Sequence, residues 1–549
     1  QGSQAEIKGG LILSEGWAFS IANGTDDSST SLSIENGTIN ASRTLISAPV
    51  GYNVNIDISG GNFTGNLSCG QNNTLTITGG NIKGNITAGT NSTFYMGGEN
   101  LTVNGILSTS KTSKATLEAV SASSNLTIAT GSKFVNDISS VLGAGAQLES
   151  SDLIKYTVKT NSGEVVYQYA ADESGYAAKI NEFYFANLND ALANVAQGEE
   201  LILLKDVDTF VVEEGKDFIL NLNGHTITTE DAKTAALTNY GTVKVIDTAD
   251  VKGLITRTGG NWYVIVNEGT MTLDGINAEN LSTTDPSSLV INNYDCLPDN
   301  PPTLNILSGD YYCENGLCVK NDEYGIINIT DGKFVSNADN NRTDGYYSAL
   351  LTYGTAKIEG GIFEAPNIAV GVASYLTQTS TAEIKGGTFT ATNEDGENIS
   401  VQFNNSGLTG KVNVVITDGI FNGILKDIGL TDTDNIGVQN GKFFAPVNSE
   451  YVDDGFVCVT TEIDGEFAIC TSDAVPEGAK LVSGRSDIPF DFADLAEGYT
   501  QIFNGKDFAI VSKFDSSIVN AEATINNVYY STLSVAVANA SENDTIVLI

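Results

Sequence analysis

Apolar and polar positions alternate with a period of two along most of the chain, in short runs broken by glycine. One octet recurs: apolar, any, apolar, any, any, Gly, any, then Phe, Ile or Tyr. It reads LSIENGTI at 32–39, IDISGGNF at 56–63, LTITGGNI at 75–82 and LNILSGDY at 304–311. Further copies are INITDGKF at 327–334, AKIEGGIF at 356–363, AEIKGGTF at 382–389, VVITDGIF at 414–421 and IGVQNGKF at 436–443. The alternation predicts strands, and the glycine predicts a corner that needs positive φ. From Gly309 to Gly441 the motif glycines follow at intervals of 22 to 32 residues, and Gly37, Gly61 and Gly80 at 24 and 19. A meander of hairpins shows turn signals about every 8–12 residues. The longer interval instead predicts one coil of a parallel β-helix per motif. Its Ile and Phe positions should stack along the interior, each buried side chain contributing on the order of 1.5–3 kcal/mol.

Two other patterns predict how such a stack is closed. In ANLNDALANVAQ, Leu188, Leu192 and Val195 fall on one helical face and Gly198 is placed to end it, which predicts a capping helix over 187–197. VCVTTEIDGEFAIC at 457–470 predicts a closing hairpin with a three-residue loop, Ile463, Asp464 and Gly465. That register sets Cys458 opposite Cys470, within disulfide reach. The chain is thus expected to be all-β, with β-helix blocks at 1–150 and 180–447 joined by a β connector at 151–179. The hairpin at 448–471 is followed by a small β module at 472–524.

A longer repeat is superimposed. INEFYFANLNDALANVAQGEELILL at 180–204 aligns without gaps with 525–549, at an offset of 345 residues. Ile180/Ile525, Asn181/Asn526, Tyr184/Tyr529, Leu188/Leu533 and Ala191/Ala536 are identical. AEIKGG at 5–10 recurs at 382–387, and the first residue is Gln. These features read as a processed or excised window on a tandem array, or as a protomer whose ends meet its neighbours. Ile525, Tyr529, Leu533, Ile546 and Leu548 are the expected assembly residues.

Composition narrows the chemistry. The chain has 549 residues, 27 Lys+Arg against 67 Asp+Glu, a net charge of −40 and one His. That charge argues against nucleic acid or anionic membrane as a partner. No run approaches the roughly 18 apolar residues of a membrane span. His225 reads as a corner or outward side chain. Asp432 and Asp434 in TDTDN, and Asp339 and Asp344 in ADNNRTD, offer oxygen ligands to Ca²⁺ or simply form solvated loops. No other cofactor is expected. Among the six cysteines, Cys313 and Cys318 enclose a turn with Cys296 one coil away, so two of the three can pair, and Cys69 reads as core. Trp17 and Trp262 offer faces for sugars or fill corners. Sequons occur at Asn36, Asn62, Asn85, Asn100, Asn125, Asn280 and Asn328.

Three stretches carry a family resemblance: FYFANLNDALANVAQGEELILLKDV, LNLNGHTIT and GKFFAPVNSEYVDDGFVCVTTEIDGEFAI. They resemble the repeat modules of large cell-surface parallel β-helix proteins of gut-type anaerobic bacteria. In those modules a leader helix opens a right-handed, pectate-lyase-like helix and a hairpin closes it. The resemblance spans most of 180–471 and implies an exported structural or adhesive protein with no defined ligand. The expected function is a non-enzymatic extracellular rod, fibre or sheath that self-associates end to end. The alternatives are a carbohydrate-active β-helix lyase or hydrolase, and a glycan-binding adhesin.

Overall fold

The computed structural model describes residues 3–21, 29–48, 53–98, 100–282, 288–338, 347–393, 397–407 and 409–549, so Asp339 and Asp344 lie outside the described residues. The chain forms two compact units, Gln1–Val195 and Ala196–Ile549. The structure is all-β with parallel sheets, and no helix among the described residues is long and apolar enough to cross a membrane.

In the first unit the octets alternate between two parallel sheets. Thr30–Ile34, Val54–Ile58, Thr74–Ile77, Thr93–Met96 and Lys114–Leu117 lie side by side in one sheet. After each corner the chain enters the other sheet, through strands such as Thr38–Ser47, Asn62–Cys69 and Leu101–Thr109. Leu32, Ile56, Leu75, Phe94 and Ala115 align directly, and each is at most 3 % exposed. Where the chain turns, backbone packs on backbone. A Cβ at Gly105 would stand 2.0 Å from the Gly84 carbonyl oxygen, a distance no side chain tolerates.

The second unit divides its circuit differently, with two limbs in one sheet and a third in another. The octets give one sheet bent at its glycines: Gly332, for example, has φ +135°. Beyond the bend, Tyr311, Phe334, Phe363, Phe389, Phe421 and Phe443 stack with centroids 4.7 to 5.1 Å apart and planes within 12°. Ile306, Ile329, Ile358, Ile384, Ile416 and Val438 align alongside them, fully buried. Phe210–Val212, Leu237–Asn239, Ile265–Asn267, Val290–Asn292, Val319–Asn321 and Ser348–Thr352 open a second parallel sheet, nine-stranded among the described residues.

That second sheet carries a buried polar ladder. Asn239 Nδ2 donates to Asn267 Oδ1 at 2.8 Å, Asn267 to Asn292 at 2.7 Å and Asn292 to Asn321 at 2.7 Å. Asn321 then donates to Thr352 Oγ1 at 3.0 Å. Each asparagine is fully buried, and each also donates to a neighbouring carbonyl, such as Asn267 to Gly269 O at 3.1 Å. Amides in register satisfy one another, so burial costs them no unmade bonds.

Both units end their parallel stacking in the same way. A short Lys-Phe strand, Lys133–Phe134 or Lys442–Phe443, is met by an antiparallel hairpin. The hairpins are Ile154–Lys159 with Val165–Ala170, and Phe456–Thr460 with Phe467–Thr471. Each takes up the edge groups that a further parallel strand would have used. Residues 151–179, expected as a connector, therefore include the closing hairpin of the first unit. The predicted helix is shorter than expected, Leu188–Asn194, capped by Asn187 and ended by the extended Val195. It belongs to the first unit.

The long repeat is matched element for element. Ala178–Ile180, Phe183–Phe185, helix Leu188–Asn194 and Glu200–Leu203 correspond to Ala523–Ile525, Val528–Tyr530, helix Leu533–Asn539 and Ile546–Leu548. Asn181 and Asn526 take the same left-handed turn at φ +51° and +53°, and Ala191 and Ala536 are both fully buried.

Candidate functional site

In the second sheet of the second unit, the flanking residues of each short strand point inward and the middle ones outward, as pleating requires. Thr238, Val266, Ile291 and Lys320 thus line up on the outer face. Val266 and Ile291 are nonetheless buried, at 8 % and 0 % exposed, because Trp262 and Tyr263 pack over them with Ala235. Trp262, Tyr263 and Tyr294 form one aromatic cluster, with centroids 5.4 to 5.7 Å apart.

A pocket of about 310 Å³ opens beside this cluster, lined by Lys233, Thr238, Tyr240, Trp262, Glu268, Tyr294 and Asp295 among others. Arg257 fixes its walls. This guanidinium is completely buried, and Nη1 donates to the carbonyls of Asp231 at 2.6 Å and Gly259 at 2.8 Å. Nη2 donates to Thr234 O. The planar fork thereby ties the loop carrying Lys233 to the loop carrying Trp262. A side chain at Gly260 would collide with it: a Cβ there meets Nη1 at 2.7 Å.

Glu268 is the perturbed acid of the pocket. Its Oε1 accepts from Asp295 N at 3.4 Å, and its Oε2 is buried with no hydrogen-bond partner among the described residues. Burial is the main force pushing the carboxyl up to about 7, with help from the Asp295 and Asp322 charges and against the backbone N–H groups of Tyr294 and Asp295. Lys320 pairs with Asp322 at 2.5 Å next door. The pocket therefore offers ring faces, the Glu268 carboxyl, a hydroxyl and one ammonium.

The residues singled out from sequence are distributed elsewhere. Cys458 pairs across the hairpin with Ile469, and Cys470 with Val457. The loop has four residues, 462–465, because Thr461 N donates to Glu466 O at 3.1 Å across its base. This one-residue difference from the expected loop puts the two cysteines on opposite faces, which corrects the predicted pairing. Cys313 and Cys318 are buried as separate thiols, with Cys318 Sγ donating to Tyr311 O at 3.4 Å. None of the six cysteines is joined in a disulfide, and burial pushes Cys313 up to about 12 and Cys69 and Cys458 to about 11.

Asp434, read from sequence as either a Ca²⁺ ligand or part of a solvated loop, is held within the protein. Its carboxylate accepts from Asn405 Nδ2 at 2.8 and 2.9 Å, Val412 N at 2.7 Å, Thr431 N at 2.7 Å and Thr431 Oγ1 at 3.0 Å. Burial acts to raise it, but these donors together hold it below its ordinary value. With its lone pairs committed, it clamps a loop, while Asp432 is exposed to water. Among the described residues no group of three or more His, Cys, Asp or Glu stands together to hold a metal ion.

His225 sits at a corner, Nδ1 3.4 Å from Asp206. Of the assembly residues, Ile525 is spent in a local core with Phe503, Val528 and Ala536. Tyr529 and Ile546 are half-buried, whereas Leu533 and Leu548 are exposed. The Asn280 sequon is buried, while Asn36 and Asn85 are exposed. Sequence reasoning missed Arg257, Glu268 and the asparagine ladder. A usable signal existed in LTNYGT at 237–242 and IVNEGT at 265–270, where asparagine, glycine and threonine recur 28 residues apart. No protein-family model, curated protein or solved structure matches the chain.

Proposed function

We propose that this is a non-enzymatic, extracellular structural and adhesive repeat protein. Its parallel strands wind as right-handed β-helices like those of the surface modules it resembles, and it self-associates end to end. One observation carries the reading. In the first copy of the long repeat, Glu200–Leu203 pairs in parallel with Asp217–Asn221, and Leu201 and Leu203 are fully buried. In the second copy the matching strand, Ile546–Leu548, pairs antiparallel with Ala523–Ile525, and Leu548, counterpart of Leu203, is 66 % exposed. The first copy thus illustrates the partner this strand pattern takes, a parallel strand of a following coil, and we read self-association as the same pairing made between copies. Sedimentation velocity of the full chain should show concentration-dependent association, and Leu548→Asp should abolish it. A full chain that stays monomeric at every concentration would remove the assembly reading.

A second reading, a carbohydrate-active enzyme, draws on Glu268, which is half-protonated near neutral pH beside Asp295. A polysaccharide panel with and without Ca²⁺ separates the two. Reproducible chain cleavage would replace the structural reading.

A further inference from the structure

We infer that the pocket between Trp262, Tyr294 and Glu268 is a binding site for a ring of a neutral saccharide. This goes beyond the structural reading and does not depend on self-association. The observations converge from three sides. Tyr240 and Tyr294 are 49 % and 42 % exposed, and Tyr294 packs against Trp262 at 5.5 Å, so part of their ring surface remains open at the pocket. The negative face of such a ring attracts the electropositive C–H face of a pyranose. Glu268 lines the pocket, and its Oε1 accepts from Asp295 N over a long 3.4 Å in an exposed position, so that oxygen can also take a donor from outside. Sugar hydroxyls are both donors and acceptors, so they can pair with that oxygen, with Asp295 and with Lys233 in one pose. Arg257 holds the two loops in place before any ligand arrives, which lowers the ordering cost of binding.

Charge selects among ligands of this shape. Glu268, Asp295 and the neighbouring Asp322 disfavour uronates and sialylated sugars, and the net charge of −40 adds to that repulsion at long range. An organic cation meets Lys233 at the wall, and Trp262, Tyr263 and Tyr294 are packed against one another instead of forming an open cage. A volume of about 310 Å³ lies at the small end of ligand pockets and suits one or two sugar rings of a longer chain.

The two tryptophans make the test direct. In full-length Trp17→Phe, Trp262 is the sole tryptophan and reports on the pocket. Its fluorescence is titrated with cellohexaose, xylohexaose and mannohexaose, and with hexagalacturonate and tetramethylammonium as charged comparators. At least one neutral oligosaccharide should give a saturable change. Its affinity should fall at least about tenfold in Tyr294→Ala and in Glu268→Ala, but much less in Glu268→Gln, which keeps a hydrogen-bonding head. Lys357→Ala, at a site outside the pocket, should leave it unchanged. Tyr294 is half-exposed, so its truncation removes little packing, and matching melting curves establish that the variants are folded. The inference is overturned if no neutral probe saturates up to about 10 mM, if only a charged probe does, or if folded Tyr294→Ala and Glu268→Ala bind as the parent does. Each result is independent of whether the chain associates in the centrifuge.

Discussion

At the scale of single residues, burial sets the chemistry more than charge does. Glu268 titrates near 4.5 in an unfolded chain and at about 7 in the folded pocket. Between those values the folded state holds an extra proton. Stability must therefore fall as pH climbs through that window and remain lowered above it. Urea midpoints at pH 5 and pH 8 should differ more for the parent than for Glu268→Gln, by on the order of 2 kcal/mol. The cysteines obey the same physics with the opposite consequence. Because burial raises their thiols and shields them, Cys69, Cys313, Cys318 and Cys458 should resist iodoacetamide until the chain is denatured. Cys296 and Cys470, partly accessible, should react first, and mass spectrometry of the native protein reads the difference.

At the scale of elements, the ladders explain why the octet repeats with so little variation. A ring at Phe363 touches Phe334 on one side and Phe389 on the other, at 4.8 and 5.1 Å. Phe363→Ala would open a hole between two rings that cannot close, because their strands are fixed at the sheet spacing. The expected loss is about 3–5 kcal/mol, measured as a shift in denaturant midpoint. Asn267→Leu tests the polar ladder differently. It conserves volume approximately but leaves Asn239 Nδ2 and Asn292 Oδ1 without their partners, so it should cost about 1–3 kcal/mol per stranded group. A leucine that left the midpoint unchanged would mean the ladder contributes no net stability. Termination is also an element-scale property: both Lys-Phe strands are covered by antiparallel hairpins in place of a further parallel coil.

At the scale of the whole molecule, the excess of 40 negative charges opposes any association between copies. Salt screens that repulsion over about 8–10 Å at physiological strength while leaving apolar burial intact. The proposed self-association through Leu548 should therefore strengthen from 20 to 500 mM NaCl, roughly the reverse of a contact held by ion pairs. Sedimentation across a salt series distinguishes the two. The pairs that do decorate the sheets, such as Lys357 with Glu359 at 2.6 Å, are solvent-exposed and contribute little to stability. Each unit has its own closing hairpin, so separate chains spanning 1–195 and 196–549 should each unfold cooperatively in a thermal melt.

The strands, their parallel register, the glycine corners and the twofold occurrence of the 25-residue segment could all be read from the chain, because each follows from local periodicity or from self-similarity. Nothing comparable marks a contact between distant residues. The hairpin of Cys458 and Cys470 turned on one residue of loop length, which sequence spacing does not resolve and which inverts the face of every side chain beyond it. For Asp434 the sequence left a cation ligand and a solvated loop open, because its amide donors, up to 29 residues away, lie outside any local pattern. Tyr240, Glu268 and Tyr294 come together only because the neighbouring strands they follow in one sheet lie about 4.8 Å apart and bring separate loops onto one face. Local order was written in the alternation of side chains; the pocket, its buried guanidinium and its unpaired carboxyl oxygen were decided by what the tertiary fold brought beside them.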